Sequence, residues 1–486
     1  MNNYSFKFQG GAILKEEINH MQRYQTVSTE DIVKIHETSL KIMEEVGIIF
    51  SYAPAREILA KGGAKVEGET VYFPKSMVEQ ALKQVPSSFT LHGRNPEKNV
   101  EINTETTNFV GPYGAPFVLD IDKGRRPGTL DDFVNIVKLC HKMDNINIQS
   151  HISCEPGDTD VDTRHMEMVY NTLKYSDKPL MGSVLGYEAA KDSIEMAAIA
   201  HGGLDAIKDK PVIIGISCTL TPLSYDDKMA GAIIAYAEYR QPQLVNSLCL
   251  AGATSPATIA GSIAVQNAEI LAGIVLAQTV NAGTPIVYSA SGSSTDMRYG
   301  NLSIGAPESA LFSLVNGHLA KYYNIPCRIS GTLSDTKQAD AQAGYESMMT
   351  LLMAQMAGGN FILHAAGILD TYNCVSFEKL MIDDEIIGMV KRIGRGVTVN
   401  DDTLAFDVIK EVGPRGEYIT NRHTFANFRK EFYQAQLSDR ARVNQDGLTI
   451  EERANARWKK MLDAYVEPSL PADIDTELKR YIENRR

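Results

Sequence analysis

From residue 109 onward the chain alternates short extended runs with longer helical ones. Eight extended runs can be counted, at 109–113, 146–153, 179–185, 212–219, 244–250, 285–291, 327–333 and 360–366. Eight is the number that closes a parallel barrel. The intervening segments 131–143, 164–175, 257–279, 308–323 and 339–357 carry helical periodicity and are long enough for right-handed crossovers. The expected fold is therefore α/β: a (β/α)8 TIM barrel over 106–370, with mainly helical extensions over 1–105 and 371–486. In the first extension, Ser28 can cap a helix, Asp31 supplies an acceptor in its first turn, and Ile32, Ile35 and 40–46 form an apolar stripe. The second contains the only tryptophan, Trp458. At 486 residues the length also admits two or three domains.

A net charge of -12, with no long Lys/Arg run, argues against nucleic acid and anionic membrane surfaces as partners. Met1 to Gly11 is polar and lacks an apolar signal core. The longest apolar stretches are interrupted by Gly, Asn, Gln and Ser within far fewer than 18 residues. No membrane and a cytoplasmic location are the expectations. Six scattered cysteines show no CxxC and no histidine at zinc-ligand spacing, so they read as buried small hydrophobes, and no metal is expected.

The chemistry concentrates on strand faces. In 326–332, alternation groups Arg328, Ser330 and Thr332 on one face, with Cys327 and Ile329 on the other. A guanidinium on an inward face needs an anionic partner. About 35 residues later Ile362 and His364 share a face of the neighbouring run, which suggests a clamp for a carboxylate. In 146–153 the isoleucines alternate with Asn147, Gln149, His151 and Ser153, and Glu155 continues that polar face, which is expected to point inward. Asn246, Tyr288, Ser289, Ser330 and Thr332 add polar groups near other strand ends, so the interior should hold a hydrated pocket or a polar ligand.

Tyr113 and Phe117 near the end of the first strand, Tyr288 on the sixth and Tyr372 after the eighth place aromatics near the mouth. Aromatic faces attract quaternary ammonium groups by roughly 0.5 to 2 kcal/mol for each well-placed ring. A carboxylate clamp facing such a cage fits a betaine. The structural alternatives are an internal ion pair of Arg328 with Glu155 or Asp335, a hydrogen-bonded core role for His364, and simple packing for Tyr288 and Tyr372. The polar loop 334–340 follows strand seven, where Asp335 can serve a site. Gly-rich 291–294 lacks P-loop spacing and its Lys.

Three stretches carry a resemblance: 111–115 (GPYGA), 331–337 (GTLSDTK) followed by 340–346 (DAQAGYE), and the last strand with His364. The chain resembles the trimethylamine methyltransferase family over nearly its whole length, specifically members without pyrrolysine, since none is written here. The resemblance implies transfer of a methyl group from a quaternary amine (glycine betaine, proline betaine, carnitine or γ-butyrobetaine) to the Co(I) corrinoid of a cognate partner protein. It also implies that Arg328 and His364 bind the substrate carboxylate and that Tyr113 lines the pocket. Phe117, Tyr288, Tyr372, Asp335, His151 and Glu155 are candidates from spacing alone. No side chain is expected to act as a catalyst. The cobalamin belongs on the partner, because an Asp-x-His-x-x-Gly pattern is missing here, and a homo-oligomer is expected. Two other readings stay open: a barrel lyase or hydrolase using Glu155, His151 or Asp335 as acid and base, and a non-catalytic betaine-binding protein.

Overall fold

A computed structural model of the chain describes residues 23–443 and 447–485. The polar stretch Met1 to Gly11 lies outside the described residues. Ahead of the barrel come α1 (Thr29–Lys41), α2 (Ala53–Lys61) and α3 (Lys75–Gln84). Ser28 and Asp31 form a reciprocal capping box on α1, each accepting from the other's backbone N–H. Short strands lie between these helices. One of them, Ile48–Phe50, pairs in parallel with Ser224–Tyr225 from a barrel loop, so the extension is knitted into the barrel.

Seven parallel strands build the central sheet: β1 (Asn108–Phe109), β2 (Leu180–Met181), β3 (Ile213–Cys218), β4 (Gln243–Ser247), β5 (Ile286–Ala290), β6 (Cys327–Ser330) and β7 (Phe361–Leu363). Their order is β2-β3-β4-β5-β6-β7-β1. The eighth expected run fills the gap between β1 and β2 through isolated bridges, Val110 to Ile148 and Gln149 to Leu180, and so closes the ring. Regular pairing fails there because Pro112 ends β1 early and the Ser150 hydroxyl, not a backbone group, donates to the Pro112 carbonyl.

The helices α4 (Leu130–Lys142), α5 (Arg164–Tyr175), α6 (Tyr187–Ala200), α7 (Asp227–Glu238), α8 (Ile259–Val280), α9 (Pro307–Tyr323), α10 (Ala341–Met356) and α11 (Phe377–Gly394) surround the sheet. α8 is long and apolar enough to cross a membrane, against the expectation of shorter apolar stretches, but it is buried on nearly every side. A helix apolar all round belongs in the core of a large protein. Its polar residues are spoken for: Glu269 accepts from the Thr219 and Ser247 hydroxyls at 2.7 and 2.6 Å and from Leu223 N–H at 2.7 Å.

Inside the barrel, Val110, Ile148, Met181, Ile214, Ile216, Leu244, Val287, Phe361 and Leu363 form one apolar cluster. Leu91, Val100 and Ile102, from an antiparallel hairpin before the barrel, join it and close the N-terminal end. This corrects the inward polar face expected for 146–153. Ile148 points in, while the Gln149 amide reaches out to Val137 O of α4 at 3.1 Å and Ser176 Oγ at 3.0 Å. The base of the barrel needs an apolar plug, and that requirement decides which face turns inward.

After α11 come α12 (Asp401–Leu404), α13 (Phe406–Val412), α14 (Arg422–Glu431), α15 (Ile450–Asp463) and α16 (Ala472–Glu483). α15 packs on α11, with Trp458 against Phe377 at 4.9 Å between ring centroids and its indole N–H donating to Glu378 at 2.9 Å. α16 docks on α5 and α6 through Tyr170 to Asp475 and Tyr481 to Asp192, both 2.8 Å. All six cysteines are free thiols, and all but Cys218 are buried.

Candidate active site

Above the apolar plug the next in-register row is polar. Cys218, Asn246, Ser289 and Arg328 are successive partners across β3, β4, β5 and β6, and Phe361 of β7 completes the row. Residues paired in a parallel sheet share a face, so this row lines the cavity. Asn246 is its hub. The Asn246 Oδ1 accepts from the hydroxyls of Ser289 and Ser291, both at 2.8 Å, and from Arg328 Nη1 at 3.4 Å, while Nδ2 lies 3.1 Å from the Cys218 sulfur.

Arg328 is only 1% exposed. Its guanidinium meets neutral acceptors: the Ser291 hydroxyl, Asn246 Oδ1 and Ala290 O at 3.5 Å. Its Nε has no partner among the described residues. Burial lowers its pKa, and the expected alternatives of Glu155 or Asp335 as counter-ions are not found. Glu155 pairs with Arg164. Asp335 accepts from the N–H groups of Ile304 and Gly305 at 3.0 and 2.9 Å and from the Thr371 hydroxyl at 2.9 Å, so it braces loops. A buried cation without a charged partner is costly, since only an anion restores what desolvation removes.

His364 lies beside this charge for a reason that alternation does not supply. Ile362 packs into the outer core with the helices, and strict alternation would send His364 the same way. His364 instead takes a left-handed φ of 56°, which ends β7 and brings the ring between Tyr372, at 4.8 Å, and Tyr113, at 6.3 Å edge-on. Burial, and then the Arg328 charge, hold its pKa well below the ordinary histidine value, so the ring is neutral at neutral pH. Its Nδ1 is buried without a partner among the described residues. Gly331 makes the close approach possible, because a Cβ there would lie 2.8 Å from Ala365 Cα and 2.9 Å from His364 O.

Tyr372 closes the site. It ends a run of three left-handed residues, Asp370, Thr371 and Tyr372, at φ 52°, 52° and 71°. Asp370 is tied to Arg125 at 3.1 Å and Lys337 at 3.4 Å. Such backbone is held only where its surroundings enforce it, and it concentrates at ligand clamps. Among Ser291, Ser330 and Tyr372 a cavity of ≈ 10 Å³ remains, room for about one water.

Of the sequence candidates, then, the fold brings together Arg328, His364, Tyr113 and Tyr372. Five others stand elsewhere. Tyr288 faces the helices, its hydroxyl donating to Asn267 and Asn316 at 3.0 and 3.3 Å, because β5 registers Ser289, not Tyr288, with Arg328. The Phe117 ring is covered by the Arg125 guanidinium at 4.0 Å. His151 is buried with both ring nitrogens unpartnered among the described residues, its pKa lowered to about 3 by burial and then by His165 of α5. Glu155 and Asp335 are engaged as described. Ser291 and Cys218 join this cluster without having been singled out in the sequence, and Asn246, noted there only as one of several polar groups near strand ends, is its hub. Asn246 carried a signal, a polar side chain within an apolar strand; Ser291 sat in the Gly-rich stretch weighed only against a nucleotide loop.

Known proteins bear on this arrangement. The family model for trimethylamine methyltransferase matches residues 7–486. A glycine betaine methyltransferase of Desulfitobacterium hafniense is 46% identical over 468 residues, 96% of this chain and 98% of that one. A proline betaine:corrinoid methyltransferase of Eubacterium limosum is 33% identical, over 94% of this chain and 96% of that one, and an L-carnitine:corrinoid methyltransferase of the same organism is 31% identical, over 93% and 95%. In fold, the chain is similar to the monomethylamine methyltransferase of Methanosarcina barkeri, with a TM-score of 0.50 at 11% identity over 92% of this chain and 97% of that one. On the match along its whole length and on these relatives, the chain belongs to the trimethylamine methyltransferase family.

Proposed function

We propose that this protein takes a methyl group from a carboxylate-bearing quaternary amine, with glycine betaine as the preferred donor, and passes it to the Co(I) corrinoid of a separate carrier protein. The observation that carries the reading is Arg328: among the described residues, a fully buried guanidinium with an orphaned Nε, met by neutral acceptors only, beside a buried neutral imidazole with an orphaned Nδ1. A ligand carboxylate satisfies the cation and both orphans at once. The 46% identity to a glycine betaine enzyme, against 33% and 31% for the proline betaine and carnitine enzymes, supports the choice of donor.

The corrinoid supplies the nucleophile. This chain's residues have a positioning task. Arg328 and His364 hold the carboxylate at the bottom of the cavity, and Tyr113 and Tyr372 offer their rings to the trimethylammonium, leaving one methyl toward the open C-terminal end of the barrel. The nitrogen is already cationic and leaves as a neutral tertiary amine, so a general acid is not required. His364, held neutral, suits this. Rings are a better cage than a carboxylate, because the positive charge on nitrogen disappears in the transition state and strong binding of it would slow transfer. Exposed Leu185, Leu220, Met297 and Tyr299 follow the C-terminal ends of β2, β3 and β5 and give the mouth an apolar rim on which a carrier can settle.

The competing lyase or hydrolase reading loses its acids and bases, since Glu155, Asp335 and His151 are engaged or remote. The decisive experiment incubates the purified chain with free cob(I)alamin and follows methylcobalamin formation spectroscopically across a set of quaternary amines. Glycine betaine should be the fastest donor and trimethylamine inert. Absence of transfer from every betaine would sink the proposal.

A further inference from the structure

We infer that residues 396–432 form a dimerisation arm that packs against the same arm of a second copy of this chain. Both ends of the arm are fastened to α11, at its C-terminal end and at its middle. Arg392 donates to Gly396 O at 3.0 Å and to Glu431 O at 2.8 Å, the Tyr433 hydroxyl donates to Glu385 O at 3.1 Å, and the backbone N–H groups of Gln436, Leu437 and Ser438 converge on the Glu385 carboxylate at 2.7 to 2.9 Å. Between these anchors α12, α13 and α14 contain no buried residue.

The arm is nevertheless rich in large apolar side chains. Val397, Phe406, Ile409, Ile419, Phe425 and Phe432 are 50% to 80% exposed. Helices of 4, 7 and 10 residues do not hold together on propensity alone, and these have no shared core. Something must cover them whenever the protein is folded. Six large apolar side chains exposed within one 37-residue segment exceed the scattered single ones that a monomer normally leaves bare.

Position and charge identify the occupant. α11 starts beyond the C-terminal end of β7 and runs down the outside of the barrel, and near its end Lys391 Nζ reaches Asn145 Oδ1 at 3.4 Å, just before the start of the second stave. The arm therefore leaves from the closed base, opposite the mouth. A carrier that must reach the mouth does not meet it, and one that departs at each turnover would leave it bare; this step alone rests on the proposed function. The chain as a whole carries -12, so two copies repel, but the arm holds six carboxylates (Asp401, Asp402, Asp407, Glu411, Glu417, Glu431) against five cations (Lys410, Arg415, Arg422, Arg429, Lys430), a net of -1. Its first half is acidic at Asp401, Asp402 and Asp407, and its second half basic at Arg422, Arg429 and Lys430. A two-fold contact that lays the first half of one arm on the second half of the other pairs these charges.

Sedimentation velocity on the full chain tests this. The unaltered protein should be a dimer at micromolar concentration. Phe406→Asp with Phe425→Asp should weaken it by roughly a hundred-fold or more, since each anchor is a buried aromatic in the complex, while far-ultraviolet circular dichroism and Trp458 fluorescence stay unchanged. As a check independent of that variant's folding, one chain carries Asp402→Lys and Asp407→Lys and another carries Arg422→Glu and Arg429→Glu. Each alone should be monomeric, and an equimolar mixture should dimerise. A monomeric unaltered protein overturns the inference. So does a dimer that survives all three variants, or a mixture that fails to associate.

Discussion

Replacing Arg328 with methionine separates a ligand-binding cation from a structural one, because the two roles predict opposite signs. In the free protein the guanidinium is 1% exposed and met by Ser291, Asn246 and Ala290 without a carboxylate. Removing a buried unpaired charge while keeping an unbranched side chain of similar length should stabilise the fold by about 1–3 kcal/mol. Asn246 Oδ1 is not orphaned by the change, since the hydroxyls of Ser289 and Ser291 still donate to it. Betaine binding, by contrast, loses charge-assisted hydrogen bonds of about 1.5–3 kcal/mol, which is roughly a 10- to 150-fold rise in Kd. Denaturant unfolding with and without glycine betaine reads both effects. At a hundredfold excess over its Kd the ligand should add about 2.7 kcal/mol to the unaltered protein, and at the same concentration less than about 0.5 kcal/mol to the variant if its Kd has risen a hundredfold. A variant that is less stable by more than about 2 kcal/mol and still gains the full increment from betaine would refute the assignment.

Leucine at Tyr113 or Tyr372 should raise the KM for betaine by roughly 2- to 30-fold, the loss of one ring face, whereas Tyr288→Phe should leave KM unchanged and cost about 1–2 kcal/mol of stability by depriving Asn267 and Asn316 of a donor. Gly331→Ala, whose Cβ would collide with Ala365 and the His364 carbonyl, should cut kcat/KM at least about tenfold by displacing His364, without touching substrate. His151 and His364 are both buried with lowered pKa, so the unfolded chain takes up protons below about pH 6.5 that the folded one refuses. Stability should therefore fall with acidification from about pH 6.5, by up to about 1.4 kcal/mol per pH unit for each of the two, and for His151 until about pH 3; His151→Phe should flatten the slope of urea midpoint against pH by one proton. Lys379 and Asp383 form a buried pair at 2.6 Å, with Asp383 also accepting from Thr332 and Gly367 at the ends of the last two staves. Lys379→Met alone should cost about 3–5 kcal/mol, and adding Asp383→Leu should recover part of it.

The barrel was legible because its two periodicities differ: period two in the staves, 3.6 in the helices, with one helix read at 164–175 and found at Arg164–Tyr175. Arg328 was legible because a cation within an otherwise apolar strand has few explanations. What alternation cannot supply is the parity of one strand relative to the next. Tyr288 and Arg328 both sit on staves near the mouth, and only the pairing of Ser289 with Arg328 shows that Tyr288 belongs to the outer face. The inward face of 146–153 was misjudged for the same reason, since polar residues on a stave can equally serve the helix layer, as Gln149 does. His364 lies beside Arg328 although alternation would send it outward, because a left-handed residue has no signature in the side-chain pattern. Ser291 was passed over because the Gly-rich stretch was weighed only for phosphate.

The hairpin that stoppers the base has a kinetic corollary. With the carrier docked over the mouth as proposed, a vessel with one opening admits traffic in sequence: the zwitterion must be aboard before the carrier seals the top, and the spent amine can disembark only once the carrier has lifted off. Steady-state analysis should therefore show compulsory order, with the demethylated amine competing against the incoming amine for the empty enzyme, and turnover paced by how quickly the lid formed by that partner comes away.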